Sequence, residues 1–469
     1  MRIDFCGANR TVTGSCHLLS INGRRILLDC GLYQGPRQKA YEINHTLPER
    51  CERIDAVVLS HGHLDHCGKL PVLIRECGLK APIYATAATV DVARVVLLDS
   101  AEIQEENAAY LNRRARQSAD ETDGEVKPLY IRADVHETLR HFKRTPYGTR
   151  VDLGGGVGFT FYNAGHILGS TYIVADWPES DGRTRRLLFT ADIGRSGTPI
   201  LLDPQPVTTP VDFLITESTY GAKQHAPMSD VEPQLLEAAE WVIQRRSRLI
   251  FPSFAVGRTQ TILWYFSKFI REKKIPPVNI YVDSPMGVEI SRIHVEHRAD
   301  YDEETRNMLG REDLFGERHV TFASSGQQSR QINNDRGPCV IIASSPTCEF
   351  GRVLHHLKHS VEDANDMVVF TGWIPPQTLG RRLQDGQPRV RILDRWYDVK
   401  CQVRTIHGLS AHADGQELLR FLQPAIAPGQ TVAYIVHGEI DQSEQMARRL
   451  IEAGARTAVV PAMTTSAMG

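Results

Sequence analysis

The stretch Val57–Pro71, VVLSHGHLDHCGKLP, constrains the fold and chemistry of this chain more than any other part of its sequence. A short apolar, strand-forming run leads into a cluster of potential ligands, His61, His63, Asp65 and His66. A polar loop is the alternative interpretation, but imidazole and carboxylate groups crowded at the end of a strand are typical of a metal site. The stretch therefore predicts a metal centre, which ligands from distant parts of the chain must complete.

The other candidate ligands share one feature, because each lies where an apolar strand stops. These residues are Asp29 after RRILL, His166 after FTFYNAG, Asp192 in LLFTAD, Glu217 in DFLITE and His437 in VAYIVH. Strand ends of one sheet system converge on a single rim, which is where α/β folds place their sites. We therefore expect these side chains to lie close together.

The number of candidate ligands predicts two metal ions. The candidates form two sets of three and one bridging carboxylate: His61, His63 and His166; Asp65, His66 and His437; and Asp192. Imidazole and carboxylate groups together suit zinc. Two zinc ions about 3.5–4 Å apart can activate water and stabilise both oxygens of a phosphoryl displacement.

Two neighbouring residues have alternative interpretations. Asp29 could orient a metal ligand from behind, or it could be a turn aspartate before Gly31. Cys67 could bind zinc, although a small buried neighbour of the histidine cluster is favoured.

The length of the chain and the order of its predicted strands and helices indicate two domains. The 469 residues exceed the size of one ordinary core, and the apolar and charged fractions of 41% and 23% are typical of a globular protein. From about Val211, short apolar runs alternate with helix-length segments, and a strand-rich texture returns near Arg389. We therefore expect an α/β protein with one domain formed by residues 1–210 and 391–469 and a second domain, residues 211–390, inserted into it.

Charge and cysteine content restrict the environment of the protein. A net charge of −2 does not indicate a polyanion partner, so a nucleic-acid surface must be a local patch. Nine scattered cysteines without a C-x-x-C pair argue against a disulfide framework and for a reducing cytoplasm. No apolar leader or membrane-length apolar run is present in the sequence, so we expect a cytoplasmic protein without a membrane partner.

Several motifs together resemble those of one nuclease family. SHGHLDHCG resembles the H-x-H-x-D-H signature of the metallo-β-lactamase fold, and AGHILGS and TADIGR resemble its next two ligand motifs. DFLITESTYG, GLSAHAD and VHGE resemble motifs A, B and C of the β-CASP nucleases, which include the mRNA 3′-end cleavage-factor endonuclease and bacterial RNA-degrading relatives. The resemblance covers nearly the whole chain and implies a metallo-β-lactamase αβ/βα sandwich interrupted by a β-CASP α/β domain.

The resemblance also implies a role for each matching residue. It implies two zinc ions per chain, held by His61, His63, Asp65, His66, His166, Asp192 and His437. It makes His412 the general acid, steadied by Glu217, and includes Asp65 and Asp192 in the catalytic group. Family members that act on DNA usually lack the motif C histidine, so His437 favours RNA.

Four arginines and one loop are the residues that we expect to contact RNA. Arg258, Arg352, Arg381 and Arg382 lie in motifs similar to those of the family, and we expect them to contact phosphate groups. Bacterial relatives usually have a glycine- and methionine-rich turn where this chain has SSPTCEFGRV. The departure at residues 347–350 would reshape a loop near the RNA.

The expected function is zinc-dependent hydrolysis of RNA phosphodiester bonds, with single-stranded RNA passing between the two domains. The alternatives are a small-molecule metallo-hydrolase of the same fold and a non-catalytic RNA-binding subunit. The sequence leaves open whether cleavage is internal or from an end, and whether the protein forms a homodimer.

Overall fold

The computed structural model describes residues 1–117, 125–309, 318–335, 337–372, 374–462 and 465–468 and contains both strands and helices. The strands are β1 Arg2–Gly7, β2 Cys16–Ile21, β3 Arg24–Leu28, β4 Ala56–Val58, β5 Ile83–Ala85, β6 Phe142–Arg144, β7 Arg150–Asp152, β8 Gly158–Asn163, β9 Thr171–Pro178, β10 Thr184–Phe189, β11 Phe213–Thr216, β12 Arg248–Pro252, β13 Asn279–Asp283, β14 Val320–Phe322, β15 Cys339–Ala343, β16 Met367–Phe370, β17 Arg389–Ile392, β18 Arg395–Asp398, β19 Gln402–Thr405, β20 Val432–Ile435, β21 Thr457–Val459 and β22 Ser466–Met468. The helices are α1 Arg37–His45, α2 Leu64–Cys67, α3 Leu70–Cys77, α4 Ala87–Gln117, α5 Arg132–Arg140, α6 Val231–Arg245, α7 Arg258–Arg271, α8 Pro285–Glu296, α9 Glu303–Leu309, α10 Gly326–Ile332, α11 Val353–Ser360, α12 Leu379–Gln384, α13 Gly415–Leu422 and α14 Ile440–Glu452.

Two seven-stranded sheets form the first of two structural units, which comprises Met1–Ser196, Asp203–Gln224 and His412–Gly469. The strand orders are β22-β1-β2-β3-β4-β5-β6 and β21-β20-β11-β10-β9-β8-β7. Phe5 and Ile26 from the first sheet pack with Phe159, Trp177 and Phe189 from the second in one apolar core. The unit is therefore the predicted sandwich, with a core between two sheets.

Helices cover the outer face of the second sheet. Leu418 of α13 and Met446 of α14 pack against strand residues such as Leu214 and Ala433. Both faces of this sheet are therefore buried, which explains why its central strands are continuous apolar runs in the sequence.

Strands β2 and β3 are joined by a two-residue hairpin turn. Ile21 pairs with Arg24 across the turn, and the two turn residues, Asn22 and Gly23, have φ values of 48° and 78°. Two residues with positive φ form the hairpin turn for which Asn-Gly is the preferred sequence.

A parallel sheet forms the second unit, which comprises Gly197–Leu202 and His225–Ala411. Its six strands have the order β14-β13-β15-β12-β16-β19, and every pair is parallel. Strands such as β12 and β15 are apolar and buried on both faces because helices connect them. The predicted α/β architecture of the insert is confirmed.

The limits of the two units differ from the domain limits expected at residues 211 and 390. Strand β11 pairs with β10 and β20 and so belongs to the first unit. Strand β19 pairs with β16 and so belongs to the second unit. The second unit accordingly ends at Ala411.

The expectation that the cysteines form no disulfides is wrong for one pair. Cys51 and Cys77, 26 residues apart, form a disulfide between the segment before β4 and the end of α3, so the argument against disulfides fails for this pair. Among the described residues, no helix is both long and apolar enough to cross a membrane.

Candidate metal centre

The histidine-rich loop follows strand β4 and leads into the short helix α2. His63 precedes the helix, Asp65 and His66 lie within it, and His61 and His66 are buried. Gly31 allows this arrangement, because a Cβ atom at that position would lie 1.6 Å from the carbonyl oxygen of Asp65. The end of β3 and the helix therefore approach each other more closely than a side chain would permit.

The first ligand group consists of His61, His63, His166 and Asp192. Nδ1 of His63 lies 3.1 Å from Nε2 of His61 and 3.3 Å from Nε2 of His166. Oδ2 of Asp192 lies 3.6 Å from each of the two Nε2 atoms. Four ligands with bonds of 2.0–2.1 Å in a tetrahedron are about 3.3 Å apart, so these spacings fit a zinc ion.

The second group consists of Asp65, His66 and His437. Nε2 of His437 lies 3.3 Å from Oδ2 of Asp65 and 3.3 Å from Nε2 of His66. Oδ2 of Asp192 is also 3.3 Å from Nε2 of His66, so this carboxylate adjoins both groups. Its other oxygen, Oδ1, is buried without a hydrogen-bond donor among the described residues, as expected of an atom available to a cation.

Charge and burial set the protonation of the cluster. Burial lowers the pKa of His63 to about 4, which leaves its nitrogen free to bind a cation. Burial opposes charge on His66 as well, but the carboxylates of Asp192, Asp65 and Asp29 outweigh it and raise the pKa of His66 well above the usual value. The pKa of Asp65 falls to about 2, because nearby imidazoles outweigh the effect of burial. A bound cation would therefore displace protons from this centre.

Asp29 lies behind the ligands and contacts one of them directly. Its Oδ2 atom is 2.7 Å from Nδ1 of His66, and its two oxygens accept hydrogen bonds from the Ser60 amide, the Ser60 hydroxyl and the Ser15 hydroxyl. This is the contact that a carboxylate makes when it orients a metal-binding imidazole. Asp29 also has a φ of 57°, so it occupies a turn position at the same time.

Two hydroxyl residues that the sequence analysis did not single out contact imidazoles of the candidate ligands. The Ser60 hydroxyl lies 3.0 Å from Nδ1 of His61 and contacts Asp29, and the Thr219 hydroxyl lies 3.2 Å from Nδ1 of His437. Each lies within a motif that the family resemblance identifies, which is the only sequence signal for its role. Cys67 is buried, donates to the Gly62 carbonyl and belongs to neither ligand group.

A third group places His412 beside two carboxylates. Nδ1 of His412 is 3.2 Å from Oε2 of Glu217 and 4.0 Å from Oδ2 of Asp192. Glu217 is buried and accepts a hydrogen bond of 2.6 Å from the Ile193 amide. Burial disfavours the charged imidazole, but Glu217 and Asp192 outweigh it and raise the pKa of His412 to about 9. The adjacent carboxylates therefore favour the protonated form of His412.

The four predicted phosphate-binding arginines lie in the second unit. The Arg352 guanidinium donates to Asp283 at 2.6 Å and to the carbonyls of Ala323 and Ser324. Arg352 therefore links the end of β13 to the segment that follows β14.

The other three arginines are at helix positions. Arg258 begins α7, while Arg381 and Arg382 lie on α12, where they donate to Asp385 and to the carbonyl of Gln377 respectively. The divergent loop at residues 347–350 contacts the start of α12, because Glu349 accepts the Leu379 amide and the Thr347 carbonyl accepts the Gly380 amide.

Comparison with known proteins identifies the family of the chain. Three family models match the chain: a metallo-beta-lactamase superfamily domain over residues 18–181, a Beta-Casp domain over 259–383, and a Zn-dependent metallo-hydrolase RNA specificity domain over 396–461. The chain is 34% identical to Ribonuclease TTHA0252 of Thermus thermophilus, with 94% of this chain and 93% of the relative covered.

More distant relatives also match nearly the whole chain. Transcription termination factor FttA of Methanocaldococcus jannaschii is 30% identical, with 94% of this chain and 67% of the relative covered. The RNase J-like protein of the same organism is 27% identical, with 94% and 93% covered. A crystal structure of a protein of unknown function from Enterococcus faecalis shares the fold, with a TM-score of 0.53 at 12% identity and 99% of both chains covered. The chain belongs to the β-CASP ribonucleases of the metallo-β-lactamase superfamily.

Proposed function

We propose that the protein is a zinc-dependent ribonuclease that hydrolyses phosphodiester bonds of single-stranded RNA in RNA processing or decay. The observation that carries the proposal is the convergence of two candidate ligand groups, with His412 beside them and in contact with Glu217. The substrate class is supported by the match to an RNA specificity domain and by relatives named as ribonucleases.

Two zinc ions per chain would be held by the two ligand groups, with Asp192 as the shared carboxylate. The chemistry that such ions supply when bound is Lewis acidity toward the scissile phosphate and toward the attacking water. Asp29, Ser60 and Thr219 orient the imidazoles that face this centre.

His412 supplies the proton that the leaving 3′ oxygen needs. Its ring is 21% exposed and can reach a substrate, and the adjacent carboxylates raise its pKa to about 9 against the effect of burial, which favours the acid form. Glu217, fixed by the Ile193 amide, holds the ring by its Nδ1 atom and stabilises the imidazolium charge.

RNA labelled at its 5′ end and, separately, at its 3′ end tests the proposal. With zinc, the protein should cleave both substrates, and removal of zinc by a chelator should abolish cleavage. The product ladders will distinguish internal cleavage from cleavage at either end. Intact RNA in the presence of zinc, together with hydrolysis of small phosphodiesters, would instead indicate a small-molecule hydrolase.

The environment and assembly of the protein are part of the same proposal. We assign it to the cytoplasm, supported by the seven of nine cysteines that form no disulfide in the structure. We leave a homodimer as a hypothesis that light scattering of the purified protein can test directly.

A further inference from the structure

The two-stranded sheet β17–β18 has one face in the core and one face in solvent. Val390 and Ile392 belong to an apolar core of the second unit, and Tyr397 packs partly against it. The antiparallel register pairs Arg391 with Trp396 and Arg389 with Asp398, so these four side chains share the opposite face. All four are exposed.

Trp396 is the distinctive residue of this face. Its side chain is 53% exposed, whereas Trp177 and Trp264 are 1% and 2% exposed. The core contacts of the hairpin come from Val390 and Ile392 on the other face. The exposed ring of Trp396 therefore offers a flat surface on which a nucleic-acid base can stack.

Arginine side chains flank the exposed ring. The Arg389 guanidinium lies over Trp396, 5.7 Å from the ring centroid, and 3.7 Å from the Asp398 carboxylate. Arg391 is directly opposite Trp396 and has no carboxylate within 4.0 Å among the residues described. An aromatic ring and guanidinium groups on one face are the groups that contact bases and phosphates of single-stranded nucleic acids.

The local charge favours the same partner. Residues 379–404, which include α12 and the hairpin, contain seven basic and three acidic residues and so carry a net charge of +4, whereas the whole chain carries −2. Helix α12 contacts β17, so Arg381 and Arg382 extend this basic region. A polyanion is the complementary partner for such a patch.

We propose that the outward face of β17–β18 is an RNA-contact surface, on which a base of single-stranded RNA stacks on Trp396 while Arg389 and Arg391 contact its phosphates. The proposal rests on the proposed function, because it assigns a second place of contact to the same substrate. The match to an RNA specificity domain covers residues 396–461 and so includes strand β18 from Trp396 onward.

Binding to RNA without cleavage provides the test. The full-length protein, freed of metal by a chelator, is titrated with a fluorescein-labelled 20-nucleotide oligouridylate and followed by fluorescence anisotropy. Trp396→Ala should raise the dissociation constant about 5- to 100-fold, the usual effect of losing one stacked base, whereas Trp396→Phe should retain most of the affinity. Tyr41→Ala removes another exposed aromatic residue, in α1, and should have no effect.

The salt dependence tests the arginines separately. Each lost phosphate contact lowers the slope of log Kd against log salt concentration by about 0.7, so Arg389→Gln with Arg391→Gln should lower it by about 1.4. The corresponding lysine pair should keep the slope, because it keeps the charge. Arg140→Gln with Arg183→Gln, at exposed positions of the first unit, is the matched control and should also keep it.

Several results would overturn the proposal. One is wild-type affinity and salt slope in both hairpin variants, and another is an equal loss in the control variants. A change in molecular mass by light scattering on Trp396→Ala, with RNA affinity intact, would identify the face as a protein contact instead. Failure of the zinc-loaded protein to cleave RNA would refute the proposed function, while the binding comparison without metal would still decide the role of the hairpin.

Discussion

At the scale of single residues, the protonated state of His412 has the most direct consequence for turnover. His412→Ala should retain zinc and RNA binding but lose about 10²–10⁴-fold in the rate of RNA cleavage, the usual contribution of a general acid. Hydrolysis of a nitrophenyl phosphodiester should be much less sensitive, because its leaving group needs little protonation. An equal loss with both substrates would exclude acid catalysis by this residue.

The pH dependence of cleavage should report the pKa of His412. The acid form exists below that pKa, which the carboxylates of Glu217 and Asp192 raise to about 9 despite burial, so the cleavage rate should fall as the pH rises past the pKa. Bound cations repel the proton and lower this pKa, so the rate falls at a lower pH. Glu217→Gln should lower the pKa of His412 further, because the variant lacks the adjacent negative charge. A pH–rate profile that Glu217→Gln leaves unchanged would contradict the pairing.

His294 should make the protein sensitive to acid. It is buried on α8, neither ring nitrogen has a hydrogen-bond partner among the described residues, and burial lowers its pKa to about 3. Only the unfolded chain takes up this proton between about pH 6.5 and 3, so stability is complete above that window and falls by up to about 1.4 kcal/mol per pH unit within it. His294→Leu should reduce this fall, measured by urea unfolding at pH 7 and 5. The same reduction in His136→Gln, an exposed histidine of α5, would show that His294 is not its source.

The sequence predicts which candidate ligands cluster in the structure better than it predicts the residues that support them. Asp29, His166 and His437 follow apolar runs, and short-range patterns identify them because a strand end is a local feature. Ser60 and Thr219 carry no such pattern, because a hydroxyl acquires its role only from the imidazole that the fold brings within about 3 Å of it.

At the scale of elements, close contact between backbones determines the geometry of the ligand loop. Gly31→Ala would force a Cβ atom toward the Asp65 carbonyl, so we expect the end of β3 and α2 to separate, with loss of zinc and about 3 kcal/mol or more of stability. Elemental analysis and urea unfolding measure both effects. Gly326→Ala is the control, because its nearest heavy atom would be 3.7 Å away. If both variants bind zinc equally, this contact does not position Asp65.

At the scale of the whole molecule, pairing between distant strands decides which unit a segment joins. Strands β11 and β19 are similar short runs, but one pairs with β20 and the other with β16. No local pattern contains this information, so the alternation of elements predicts an inserted domain while its limits require the structure. The pairing of Cys51 with Cys77 is non-local in the same way.

Zinc should stabilise the protein, because it binds the folded state and not the unfolded state. We expect about two zinc ions per chain, a lower Tm after chelation, and proton release on zinc uptake from His66 and His437, whose pKa values carboxylates raise against the effect of burial. Calorimetry in two buffers of different ionisation enthalpy measures the released protons. His437→Ala should reduce the stoichiometry toward one. A wild-type stoichiometry of one or less, unchanged on zinc addition, would refute the paired site.

The division of the first unit into separate segments has a consequence for synthesis on the ribosome. The first ligand group is complete once Asp192 has emerged, but His412 and His437 follow the entire second unit. At about 5–20 residues per second, translation of the intervening chain takes roughly ten to fifty seconds. During that interval the nascent protein lacks both its proposed proton donor, His412, and the last member of its second ligand group, His437. A ribonuclease assembled in this order cannot cleave the message from which it is being translated until it is almost finished.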